Sequence, residues 1–426
     1  MIKVLKRAEN KKLYYNFISL SFLHAANLIL PLITFPYLVR TLGIEFYGLV
    51  IFAQAFISYF NIIAEYGFNF SGTREISLSK NSIEELTIAY NSIMTARFIL
   101  VIICLIVMTI VVLSFDKFLI YWELYFLTFG MVIGTMLFPT WFFQGMEKMK
   151  YITILSIISK SIFTISIFVF VKSPSDYLLI PVLNSGGYIF VGVISMIIIN
   201  VKFNIPFKIQ KNINVWRHLR EGYYIFISTI STNLYTTTTT VVLGLVTNTT
   251  MVGYYAIAEK ALRIIVAMFS PFTQTIYPHI IQLAENSFEE TVILLRRILN
   301  FTILISIFMW IIGFIFTEQI FHLLFSENVN HSIIIFKILS PLIIILPIAT
   351  ILFNIVLLPF KMDKYFSRIY MTGAILNLLV LGILLFGFKL STIGAAISLL
   401  ICEFTITIYA AIVIQRNNIK VFKFYK

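Results

Sequence analysis

Residues Leu86–Ser114 read LTIAYNSIMTARFILVIICLIVMTIVVLS, a run of hydrocarbon-like side chains interrupted by one cation, Arg97. A bilayer-crossing helix needs about 20 mostly apolar residues, and this stretch supplies them with a charge well inside its length. A charge facing lipid at mid-bilayer is costly. Such residues therefore line enclosed or water-filled space and mark an ion or substrate path. Four more cations, Lys160, Lys260, Arg263 and Lys337, stand in similarly apolar surroundings.

The rest of the chain is of the same kind. Of its 426 residues 59% are hydrophobic, 12% are charged and 42 are Phe, more apolar surface than a soluble core hides. Twelve apolar segments begin near residues 14, 47, 86, 118, 151, 177, 222, 253, 295, 332, 366 and 392. The expectation is an all-α integral membrane protein with twelve transmembrane helices. The first segment has too long an apolar run for a cleaved signal peptide. Cys104 and Cys402 both fall within apolar spans and imply neither a disulfide framework nor a metal site.

Lys and Arg in short loops set orientation. With a cytoplasmic N-terminus, 23 of the 32 basic residues fall on the inner side, among them Lys3, Lys80, Lys148, Lys150, Lys202, Arg217, Arg296, Lys364 and Arg416. The outer side holds Arg40, Lys117, Lys172 and Lys389. Both termini are thus expected in the cytoplasm. The net charge of +13 reads as a topology signal and an attraction to anionic lipid, with no nucleic-acid partner.

A polar connection from about Lys202 to Glu221 divides the spans six and six, giving an N-lobe over residues 1–210 and a C-lobe over 211–426. The halves look like copies. Asn27-Leu28 precedes Asn233-Leu234 by 206 residues, Gly48 and Ala53 precede Gly253 and Ala258 by 205, and Lys150-Tyr151 precedes Lys364-Tyr365 by 214. Six spans per copy place both copies in one orientation. The expected fold is two pseudo-symmetric six-helix lobes around a central cavity, as in parallel-repeat transporters.

Three blocks carry a resemblance to a known family. Gly43-Ile44-Glu45-Phe46-Tyr47-Gly48 leads to Tyr66-Gly67-Phe68-Asn69 and Thr73-Arg74-Glu75-Ile76-Ser77. Pro139-Thr140-Trp141-Phe142-Phe143-Gln144-Gly145-Met146-Glu147-Lys148-Met149 is the second. Tyr254-Tyr255-Ala256-Ile257-Ala258-Glu259-Lys260, leading to Tyr277-Pro278, is the third. Together they resemble the Wzx-type polysaccharide-biosynthesis flippases that export O-antigen units, part of an exporter superfamily with multidrug and lipid II flippases. The resemblance implies a bacterial inner-membrane protein that moves an undecaprenyl-diphosphate-linked oligosaccharide between leaflets. It also implies membrane lipid and, in an assembly, a polysaccharide polymerase and chain-length regulator as partners of a monomeric transporter.

The residues meet that implication. A diphosphate wants cations, a sugar wants polar walls, and a polyprenyl tail can remain in lipid. Arg97, Lys160, Lys260, Arg263 and Lys337 are the expected cavity cations, with Arg suited to forked phosphate contacts and Lys to a point charge. Arg263 also stands four residues after Glu259, where the two can pair. Lys337 is near enough to the outer surface to snorkel. The in-span carboxylates Glu65, Glu259 and Glu403 could relay H⁺, hold Na⁺ or neutralise these cations; no other cofactor is implied. A multidrug or cation exporter would want acidic lumen residues instead. A membrane polymerase or ligase would want catalytic groups on an outer loop, and the longest, near 317–331, offers Glu318, His322, Glu327 and His331 without a nucleophile–base or metal spacing. The expectation is a transporter, not an enzyme.

Overall fold

The computed structural model describes residues 2–210, 212–325, 329–360, 362–417, 419 and 421. Glu327 and the side chains of Lys3, Asn27, Leu28, Asn233, Leu234 and Pro278 lie outside what is described. Among the described residues the regular structure is helical throughout.

Helix α1 (Ile2–Glu65) covers the first two expected spans as two helical stretches that meet at a break. Pro31 and Pro36 lie inside it without ending it, and the break falls instead at Gly43, with φ 74° and ψ 169°. A side chain there would be strained, so the turn is assigned to the one residue type that tolerates it. A second turn follows at Tyr66 and Gly67, both with positive φ, and leads into α2 (Phe68–Ser79).

Next comes α3 (Ile83–Ser114), opened by Ser82, whose Oγ accepts from the Glu85 N–H at 3.4 Å. Glu84 and Glu85 in its first turn also suit the positive end of the helix dipole. The short α4 (Asp116–Leu119) precedes α5 (Trp122–Leu137), which stops at Phe138 before Pro139. Then follow α6 (Thr140–Gly145), α7 (Met149–Phe170) and α8 (Leu179–Phe203). Contacts group these helices, with residues 1–43 and 53–65 of α1 and the chain as far as Asn233, into one unit.

Two close approaches shape this first unit. Helix α2 lies on α6: Gly72 faces the Trp141 ring, and Thr73 Oγ1 is 3.1 Å from Gln144 Oε1. The second and first motif blocks are thus packed together. Helices α5 and α8 meet along small residues, with Gly130 against Ser185 and Gly134 against Tyr188. Spacing glycines four apart lets helix backbones approach closely in a membrane.

The segment after α8 is not loose. Asn91 of α3 donates to Pro206 O at 3.1 Å and accepts from the Lys208 N–H at 3.0 Å, while the Gln210 N–H donates to Thr95 Oγ1 at 3.1 Å. Beyond it, α9 (Asn212–Val246) begins in the first unit. There the Phe226 ring stacks on Tyr66 at 4.3 Å, and Arg217 pairs with Glu75 at 3.0 Å. These contacts carry the unit to Asn233, whereas the sequence reading divides the chain at 210.

The second unit holds Leu234–Lys426 together with Ile44–Phe52 of α1. Its helices are α10 (Thr249–Ala267), α11 (Ser270–Asn286), α12 (Phe288–Ile315), α13 (Thr317–Leu324), α14 (Asn330–Leu339), α15 (Leu342–Thr350), α16 (Asp363–Gly382) and α17 (Ser391–Arg416). Gly48 sits against the backbone of Thr249 and Gly253, and Phe52 fills the space beside Gly244. A buried core joins α12, α15, α16 and α17 around a π-helical stretch, Ile351–Leu357.

Eight helical stretches among the described residues are long and apolar enough to cross a membrane, and nine when Asn330–Leu339 and Leu342–Leu357, bent by 45°, count as one. In this count the first two expected spans fall in one stretch although Gly43 breaks the helix between them, and α10 carries Glu259, Lys260 and Arg263 within its length.

Candidate functional site

Within the first unit a cavity of about 310 Å³ opens between helices that read as membrane spans. Its walls come from the end of α1 and the start of α2 (Asn61, Glu65, Asn69), from α3 (Arg97), from α5 and α6 (Thr135, Thr140), and from α7 and α8 (Ser159, Lys160, Tyr188). Both N-lobe cations named from sequence are therefore in one place, with one of the three carboxylates.

Arg97 is 3% exposed. Its Nη2 donates to Thr135 O at 3.0 Å and its Nη1 to Met136 O at 3.4 Å, while the buried Nε finds no hydrogen-bond partner among the described residues. The carbonyls of Thr135 and Met136 are accessible because α5 is ending there, one turn before Pro139. A guanidinium held by neutral carbonyls makes no direct ion pair among the described residues, although Glu65 acts on it across the cavity, and it suits an anion.

Glu65 is held differently. Asn61 and Asn69, one turn before and one turn after it, each place Nδ2 3.4 Å from its carboxylate. Thr135 Oγ1 is 2.6 Å from Asn61 Oδ1, and Thr140 donates to Asn69 Oδ1 at 3.1 Å. A continuous polar chain thus runs Thr140, Asn69, Glu65, Asn61, Thr135 and ends at the carbonyl that Arg97 grips. Fixing both charges through intervening dipoles keeps cation and carboxylate in the same cavity without a direct salt bridge between them.

A second cavity, of about 170 Å³, shares Ser159, Lys160 and Tyr188 with the first and continues to Thr34, Phe163 and Asn184. Lys160 therefore lines both cavities. The two ends of the unit are distinguishable. Lys80–Glu147 at 2.9 Å and Lys202–Tyr151 at 3.3 Å bring together loops assigned to the inner side. Tyr37 OH to Val171 O at 2.7 Å joins segments next to Arg40 and Lys172, assigned to the outer side.

The other sequence-named residues fall in the second unit. On α10 Arg263 donates twice to Glu259 Oε1, from Nη2 at 2.6 Å and from Nε at 2.8 Å, so this pair is neutralised locally. Lys260 lies 5.9 Å from the centroid of the Tyr47 ring, a cation–π arrangement. Glu403 is buried on α17. Lys337 pairs with Glu318 of α13 at 2.7 Å and lines neither of the two cavities above. That bridge holds the Glu318 carboxyl below its usual range, chiefly through the hydrogen bond from Lys337.

Sequence reasoning missed the neutral half of the site: Asn61, Asn69, Thr135, Thr140, Ser159 and Tyr188. One signal was available: Asn61 stands one turn before Glu65 at the end of an apolar run.

Long apolar helices around a charged, amide-rich cavity define a multi-span membrane protein with a polar cavity in its first unit. The chain belongs to the polysaccharide biosynthesis protein family, whose model matches residues 13–284. A protein of Escherichia coli (strain K12) named "Putative O-antigen transporter" is 31% identical over 410 residues, 95% of this chain and 97% of that protein. A protein of the same name from Shigella dysenteriae is 28% identical, over 92% of this chain and 98% of its own. Among solved structures, lipid II flippase MurJ in an inward closed conformation is similar with a TM-score of 0.70 at 14% identity, covering 94% of this chain and 87% of that one. A multidrug resistance MATE family transporter of the MOP superfamily, inward-facing, is similar at 0.58 and 12% identity, covering 93% and 100%. These two share the fold.

Proposed function

We propose that this protein is a flippase, not an enzyme, that carries an undecaprenyl-diphosphate-linked oligosaccharide, an O-antigen repeat unit, from the cytoplasmic to the periplasmic leaflet of a bacterial inner membrane. The observation that carries the reading is the cavity in which Arg97 and Lys160 face one carboxylate within membrane-spanning helices. Two cations to one anion favour a negatively charged guest, and the hydroxyls and amides around them suit a sugar. The family and the two curated relatives support the substrate class.

In this proposal twelve spans form two six-helix lobes, both termini are cytoplasmic, and the lobes alternate between inward and outward access. Diphosphate is held by Arg97 and Lys160; Lys260, Arg263 and Lys337 are the further candidate cavity cations, of which Arg263 and Lys337 each have a carboxylate partner of their own. The polyprenyl tail stays in lipid. Glu65, Glu259 and Glu403 are the candidate groups for H⁺ or Na⁺ coupling, and no other cofactor takes part. The monomer would hand its product to a polysaccharide polymerase and chain-length regulator. A drug or cation exporter would need the opposite charge balance in the cavity.

The test is Arg97→Ala and Lys160→Ala in a strain lacking the chromosomal copy. Surface polysaccharide disappears in both while the protein remains in the membrane at normal level. Full polysaccharide in both variants would overturn the proposal.

A further inference from the structure

Helices α3 and α12 begin alike. Asn81-Ser82-Ile83-Glu84-Glu85 is matched 205 residues later by Asn286-Ser287-Phe288-Glu289-Glu290, and in both helices the serine Oγ accepts from the N–H of the second glutamate at 3.4 Å. The same spacing puts Thr302 of α12 at the place of Arg97 of α3. Each is 3% exposed and each lines a cavity of its own unit, but the cavities differ in kind. Around Arg97 the walls are charged and rich in amides. Around Thr302 a cavity of about 220 Å³ is walled by Met268 and Phe269 at the junction of α10 and α11, by Phe272 in the first turn of α11, and by Phe301, Ile305 and Met309 of α12.

We propose that this groove is a binding site for an anionic phospholipid, one acyl chain lying in the groove and the headgroup phosphate on Arg297. From Ile298 to Ile315 α12 carries no charged side chain, so Arg297 marks the level at which hydrocarbon gives way to headgroups. With the orientation proposed above, that level is the cytoplasmic leaflet. Arg297, Phe301, Ile305 and Met309 follow at intervals of four along α12, a slanting stripe that runs about 18 Å from the cation into hydrocarbon. The groove is open at its side, with Met268 59% and Phe301 51% exposed. Its walls are flexible thioethers and the rings of Phe272 and Phe301, 5.8 Å apart between centroids, surfaces that adapt to a mobile chain. A hollow of this kind gains dispersion contacts when a tail enters it.

Charge decides which lipid enters. The residues one turn either side of Arg297, Ile293, Leu294, Asn300 and Phe301, are uncharged, and the acids of α12, Glu289 and Glu290, stand two turns away. An exposed guanidinium at headgroup level attracts phosphate and can take it in a fork. In phosphatidylethanolamine the ammonium offsets that attraction; in phosphatidylglycerol nothing does. A diphosphate carrier asks for more than one cation, as the cavity of the first unit supplies. The lipid site is therefore separate from the cargo, and stands whatever the first unit carries.

The test reconstitutes the full chain in vesicles of phosphatidylethanolamine and phosphatidylglycerol, with a trace of one or the other carrying a photoreactive diazirine in an acyl chain. Cross-linked peptides are located by mass spectrometry. Residues 268–272 and 301–309 are expected to be labelled about five-fold more strongly by phosphatidylglycerol, since one basic side chain at the surface adds attraction of that order. Arg297→Gln brings the two lipids within two-fold of each other. Arg416→Gln, at an exposed arginine of α17 outside the groove, leaves the preference unchanged. Equal labelling by the two lipids in the wild type overturns the site, and so does an equal loss of preference in both variants. Displacement of the phosphatidylglycerol label by equimolar polyprenyl phosphate also overturns it, by assigning the groove to the carrier lipid. If Arg297→Gln does not fold, the wild-type comparison decides.

Discussion

Gly48 and Gly253, the positions that correspond in the two halves of the sequence, touch each other. A Cβ placed on Gly48 would lie 2.8 Å from Gly253 Cα, and one on Gly253 would strike the Ile44 carbonyl. Two residues that match in the sequence repeat therefore lie in contact within the second unit.

This contact leaves no room for a methyl group. Gly48→Ala and Gly253→Ala should each lower stability by about 1–3 kcal/mol, the usual cost of overpacking. The check is the thermal midpoint of detergent-solubilised protein, with Gly186→Ala, where a Cβ meets nothing within 4 Å, as the neutral comparison. Equal midpoints for all three would remove the argument.

The seam between α5 and α8 should be equally intolerant. At Gly134 a Cβ would lie 2.5 Å from Tyr188 Cβ and 2.7 Å from Ile189 N, and Tyr188 lines both cavities. Gly134→Val is expected to abolish surface polysaccharide by displacing Tyr188, with membrane insertion retained. Normal polysaccharide would mean that the wall carrying Tyr188 is not required.

Arg97 is held by two carbonyls through two different nitrogens, a grip that a single ammonium cannot copy. Arg97→Lys keeps the charge and loses the fork, so export should fall by about ten-fold or more, since one hydrogen bond to a charged group is worth about 1.5–3 kcal/mol. Quantified lipopolysaccharide ladders give the measurement; wild-type export from Arg97→Lys would show that charge alone suffices.

Lys337 should behave unlike Arg97 if its bond to Glu318 defines its role. The Glu318 carboxyl is held below its ordinary value, so any stability from the pair is present above the unfolded carboxyl pKa and lost as pH falls through the depressed one. The thermal midpoints of wild type and Glu318→Gln should differ slightly near pH 7 and converge in acid. A gap that widens in acid would contradict the pairing.

Much of this was legible from residue order. The cations Arg97 and Lys160 stood out because charge in hydrocarbon is rare, and Glu65 for the same reason. Thr135 and Tyr188 did not, since a single hydroxyl in a span satisfies itself on its own helix often enough to carry no signal. The helices on either side of Gly43 were read as two spans; that the break sits on this glycine and not at Pro31 or Pro36 was hidden. The pairing of Lys337 with Glu318 depends on how α13 folds back on α14, which spacing along the chain does not reveal.

The peptide between Phe203 and Gln210 is fastened to α3 by Asn91 and Thr95. A gene divided in two to make separately expressed halves would therefore do best to keep that strap on the first half and cut beyond it. Severing at Asn204 would detach from the first half the segment that Asn91 and Thr95 hold.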